Sequence, residues 1–116
     1  MLFLALLALP ALASELQLDV TPSAGEAMAE QGSEWYVRPG TYRGYWGEPL
    51  TALVKSGQPD KPEHFNRLED EQFVVWVPKG MTFENDLVKI IAFNYKGKVM
   101  FKVSTAMQMI GEGYGN

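Results

Sequence analysis

The run Gln72-Phe73-Val74-Val75-Trp76-Val77 constrains the fold more than any other stretch of this chain. Five of its six residues are β-branched or aromatic, and Pro78-Lys79-Gly80 ends it. Such residues suit a pleated, packed surface. A nearly continuous apolar run reads as a strand covered on both faces, hence a central strand. The rest of the chain must therefore supply flanking strands and covering layers.

Trp35-Tyr36-Val37-Arg38 reads as a first strand, stopped by the turn signal Pro39-Gly40. Gly47-Glu48-Pro49 then predicts a short helix, because proline suits a first helical turn. Its stripe is Leu50, Leu53 and Val54, ended by Ser56-Gly57. Residues 58–71 are polar and carry two prolines, a loop with room for a helical turn at Pro62–Leu68. Thr82–Tyr95 reads as the clearest helix. Thr82 is placed to cap it, Glu84 and Asp86 suit its first turn, and Phe83, Leu87, Ile90 and Ile91 form its stripe. Lys98–Val103 alternates, with Val99, Phe101 and Val103 on one face and Lys98, Met100 and Lys102 on the other. Ser104–Ile110 fits helix or strand equally. The expected fold is one small α+β domain in β-α-β-α-β order, with helices packed on a small mixed sheet.

Three segments are expected. Residues 1–13, MLFLALLALPALA, read as a signal peptide: an uncharged apolar run, then Ala11-Leu12-Ala13 as a cleavage site. The basic start usual in such leaders is missing, and a buried N-terminal helix is the competing reading. The run is shorter than the roughly 20 residues that span a bilayer, so no membrane span is expected. Residues 14–34 hold Glu15, Asp19, Glu26, Glu30 and Glu34, with no base and no aromatic. They read as an acidic flexible linker with room for a short strand at Leu16–Val20; a helix at Gly25–Glu34 is the competing reading. Residues 35–116 are the folded body. They are close to neutral, so the chain's net charge of −4 belongs to the linker. Without a basic cluster, no nucleic-acid partner is expected.

The chain has no cysteine, which excludes disulfides, thiol catalysis and thiolate metal sites. A cysteine-free chain with a leader fits the bacterial periplasm better than animal secretion. The one histidine, His64, lies in the polar loop, and no serine sits in a nucleophile-elbow turn. No glycine-rich phosphate loop is present. Asp60, Glu63, Glu69, Asp70 and Glu71 gather around the long loop, but Lys61 and Arg67 interrupt them and no calcium-loop spacing appears. They read as a solvated face. The expectation is a non-enzyme with no cofactor and no metal.

Trp35, Tyr36, Tyr42, Tyr45 and Trp46 crowd five aromatics into 12 residues. They are candidate partner-contact residues, although alternation puts some of them in the core. Lys98 and Lys102 join them, as outward lysines that guard an edge strand while leaving it open to a specific partner. The same aromatics form the alternative, a cell-wall saccharide platform. Trp35–Thr41 is similar to the opening of LysM peptidoglycan-binding modules. A small hydrolase built on the acidic loop and an inhibitor presenting loop 57–71 are further readings.

The sequence of features Trp35–Gly40, Leu50 with Leu53, Val75-Trp76, then Phe83 with Asp86-Leu87 resembles the toxin-coregulated pilus biosynthesis protein Q family. It resembles more loosely the short N-terminal modules of secretins and TonB-dependent receptors. The resemblance spans about residues 35–103. It implies a periplasmic assembly module of a pilus, secretion or conjugation apparatus, with an envelope protein such as a secretin or pilus component as partner.

Overall fold

The computed structural model describes residues 15–38 and 52–109. Among these residues the chain is mostly β. In order come β1 (Gln17–Val20), α1 (Pro22–Ala29), β2 (Glu34–Val37), β3 (Val54–Ser56), β4 (Phe65–Glu69), β5 (Val74–Pro78), β6 (Met81–Phe83), β7 (Leu87–Tyr95), β8 (Lys98–Val103) and β9 (Ala106–Met109). The strands form three sheets, ordered β1-β7-β8, β3-β2-β5-β4 and β6-β9. The pairs β1/β7 and β2/β5 are parallel, and the others are antiparallel.

This overturns the expected β-α-β-α-β domain with helices on a sheet. The expected helix over Thr82–Tyr95 is instead the end of β6, a 3-10 turn at Glu84–Asp86, and the long strand β7. Asn85 and Asp86 both have φ of +56°, which no α-helix contains. Asn and Asp tolerate that region better than other side chains, so the turn breaks here at low cost. Beyond it, Val88, Ile90 and Ile91 are β-branched and lose side-chain freedom in a helix. Val88 and Ile90 are fully buried at period two, between β1 and β8. The expected helix ending at Ser56 is a strand where it is described, with Val54–Ser56 pairing β2.

Residues 15–34, read as a linker, form β1 and α1. Leu18 and Val20 pack on the core from β1. Ala24 and Met28, four apart on α1, are fully buried. Pro22 starts the helix, where its missing N–H is harmless. Thr21 does not cap it. Its backbone N–H and hydroxyl both donate to the Ile90 carbonyl, at 3.1 and 2.9 Å, and tie α1 to β7. The leader 1–13 lies outside the described residues.

The strand expected at Gln72–Val77 is β5, paired on both sides within its sheet. Val75 and Val77 are fully buried, while Val74 and Trp76 are half-buried. Its cover is therefore unequal: one face holds the core and the other is partly open. The β4–β5 hairpin turns at Asp70, whose Oδ1 accepts the N–H groups of Gln72 and Phe73, both at 2.8 Å. The β7–β8 hairpin turns at Lys96-Gly97, with φ of +52° and +82°. That is the left-handed pair a two-residue hairpin loop requires.

Candidate functional site

The two larger sheets meet where β3 runs beside β8. Leu53 forms an antiparallel bridge with Lys102, and the Val103 N–H donates to the Ala52 carbonyl at 3.0 Å. Beyond this contact the strands part. The opening is a groove of about 230 Å³, lined by Gln31, Trp35, β3 residues Val54–Ser56 and β8 residues Lys98–Phe101, with Leu53 at its closed end.

Hydrogen-bond alternation shows which backbone groups face this seam. Arg38 N–H donates to Leu53 O and Gly57 N–H to Glu34 O, both at 2.8 Å, so residues 53 and 57 face β2. Residues 54 and 56 between them face away. Across the gap, the two-residue turn makes Tyr95 and Lys98 the closing pair of their hairpin. Val99 and Phe101 therefore face away from β7. Phe101 lies next to the bridge. The backbone groups of Ser56 and Val99 point into the gap.

Side chains give the seam its character. Val99 shares the core face with Phe101 and Val103, which are 4% and 3% exposed, yet it is 54% exposed. Among the described residues it is a core-side position at which the cover runs out. Trp35 and Phe101 meet edge to face, centroids 5.4 Å apart, at the inner wall. Among the described residues Lys55 and Lys98 line the groove, and no acidic side chain does.

A second surface lies on the open face of the four-stranded sheet. The registers Lys55↔Tyr36, Tyr36↔Trp76 and Trp76↔Arg67 place these four side chains in one row across β3, β2, β5 and β4. Trp76 is fixed: its Nε1–H donates to Glu34 Oε2 at 2.8 Å, and Gln58 Nε2 donates to the same oxygen at 3.1 Å. Arg67 pairs with Glu69 at 2.7 Å.

The structure separates the candidate residues. Trp35 is 2% exposed, its Nε1–H donating to Gly32 O at 3.0 Å, so it is a core residue and not a stacking platform. It still shares the groove lining with Lys98. Tyr36 belongs to the opposite face, beside Trp76. Lys102 lies over the Phe93 ring, 5.1 Å from its centroid, on the outer face of the β7–β8 hairpin. Tyr42, Tyr45 and Trp46 lie outside the described residues. Sequence reasoning missed Val99, Ser56 and Trp76 as surface features. For Lys98 a stronger signal was present: residues 87–109 contain four lysines and no acid.

Catalytic geometry does not emerge among the described residues. His64 is exposed in the 3-10 turn Pro62–His64. Asp70 is committed to its turn and Glu69 to Arg67. No group of three or more metal-ligating side chains forms there. No helix among the described residues is long and apolar enough to cross a membrane. No protein-family profile, curated protein or solved structure matches the chain.

Proposed function

We propose that this chain is a non-enzymatic protein-binding module that takes an extended segment of a partner by strand addition at the seam between β3 and β8. One observation carries the reading: among the described residues, two strand edges part around an apolar residue without cover, Val99, with backbone donors and acceptors directed into the gap. Main-chain hydrogen bonds to such an edge give affinity, and the side-chain pockets beside it give specificity. At about 230 Å³ the groove is smaller than the roughly 300–1,000 Å³ of ordinary small-molecule pockets. The apolar run Met1–Ala13 and the absence of cysteine support a bacterial envelope setting, and the resemblance of residues 35–103 to pilus-assembly modules suggests a pilus or secretion component as partner. A photo-crosslinker at position 99 tests this. It should capture one discrete envelope protein, and the same probe at exposed Lys79 should not. Equal capture at both positions would refute the seam as the contact.

A second reading, saccharide stacking, moves from Trp35 to the Tyr36–Trp76 row. Peptidoglycan fragments should then quench Trp76 fluorescence in a Trp35→Phe, Trp46→Phe background. Unchanged emission at saturating fragment would remove that reading.

A further inference from the structure

The strand-addition reading leaves the chemistry of the occupant open, and the seam's own geometry narrows it. The seam is closed at one end by the Leu53–Lys102 bridge and the Val103–Ala52 hydrogen bond. Its open length is that of Lys98–Phe101 on one side and Val54–Ser56 on the other. At about 3.3 Å per residue this is roughly 10–13 Å. A segment inserted here cannot continue past the bridge, so it ends there or turns out of the sheet. Because β3 and β8 are antiparallel to each other, the segment runs parallel to one edge and antiparallel to the other.

Charge selects among such segments. The chain carries a net charge of −4, yet residues 87–109 hold Lys89, Lys96, Lys98 and Lys102 with no Asp or Glu. Lys98 lies on the groove wall, and Lys55 faces it from β3. Alternation in an inserted strand sends neighbouring side chains to opposite faces. One face of it meets Val99, and the other meets the side of the sheet that carries Lys55 and Lys98.

We infer, resting on that strand-addition reading, that the seam receives a short extended segment of a partner protein that alternates apolar and acidic residues. Its apolar side chains lie on Val99, its carboxylates lie beside Lys55 and Lys98, and its backbone pairs with Ser56 and Val99.

The test titrates the full chain with a fluorescein-labelled peptide of alternating glutamate and valine. The control is the peptide with lysine for glutamate. Binding is read by anisotropy, and its place by residue-resolved amide shifts. The acidic peptide should bind about tenfold or more tighter, as expected for steering by complementary charge, and weaken with added salt. It should move the Ser56 and Val99 amides. The Lys55→Glu, Lys98→Glu double variant should reverse the preference; Lys98 is exposed and Lys55 half-buried, and an unchanged far-UV circular dichroism spectrum is the check that the variant is folded. Equal binding of both peptides, with shifts at Ser56 and Val99, would overturn the acidic occupant and leave the seam standing. No shift at those two amides with either peptide would overturn the seam itself. A single-stranded oligonucleotide moving the same amides at lower concentration than the acidic peptide would replace the protein segment with nucleic acid.

Discussion

Replacing Trp35 by alanine should damage the fold and not merely a surface. A tryptophan buries on the order of 150–250 Å², and about 25 cal/mol per Å² makes that roughly 4–6 kcal/mol. The alanine methyl retains a little of this, so about 3–5 kcal/mol is lost, as is usual for a large aromatic truncated in a core. The lost Nε1–H bond adds little, because its partner is the carbonyl of exposed Gly32, which water can reach. Against a typical domain stability of about 5–15 kcal/mol, such a loss leaves the variant marginal. Urea unfolding followed by far-UV circular dichroism measures it: the midpoint should fall sharply while the slope stays constant. Trp76→Ala is the internal comparison. Trp76 is only half-buried, so about 1–2 kcal/mol is expected there. If Trp35→Ala costs less than about 1 kcal/mol, or less than Trp76→Ala, then Trp35 is not in the core and the packing between β2 and β8 is wrong.

Three smaller perturbations probe the turns and the surface. Asp70→Ala removes the acceptor of two backbone N–H groups at the β4–β5 turn and should cost about 1–2 kcal/mol in the same urea assay. Gly97→Ala forces a side chain to φ of +82° and should cost about 1 kcal/mol, seen as a lower melting temperature with unchanged binding at the seam. Glu69→Ala breaks the exposed ion pair with Arg67 and should change stability by less than about 1 kcal/mol, an effect that disappears at high salt.

The legible parts of the fold are those whose pattern admits one period. β8 alternates cleanly over Lys98–Val103, and its bounds in the structure are the same. The run ending at Val77 combines β-branched and aromatic residues too densely for a helix, and it is the central strand β5. Thr82–Tyr95 misleads because Phe83, Leu87, Ile90 and Ile91 satisfy a helical period, while Val88 and Ile90 equally satisfy a strand. Partners on both sides of β7 decide between them, and those partners are distant in the chain. In the segment 15–34 the short strand read at Leu16–Val20 is β1, Gln17–Val20, while the linker reading of the rest misleads for a different reason. Glu15, Asp19, Glu26 and Glu30 are exposed while Glu34 is half-buried, and the segment's burial rests on a few small or flexible residues, Ala24 and Met28 above all, which carry little weight in composition.

The candidate site was half legible. Lys98 and the core-facing alternation of Val99 can be read from the chain. That the cover ends before Val99 cannot, because it depends on where β3 and β8 diverge. Trp35 is one of the aromatics that alternation sends to the core, and its neighbours on β5 and β8 enclose it.

Residue-resolved amide hydrogen exchange tests the central claim most directly. In the free chain, Lys55 and Met100, whose amides face β2 and β7, should be protected, while Ser56 and Val99 exchange as open edge positions. Adding the acidic peptide should slow Ser56 and Val99 selectively. Protection of Ser56 and Val99 in the free chain, equal to that of Lys55 and Met100, would show a seam already closed and contradict the account.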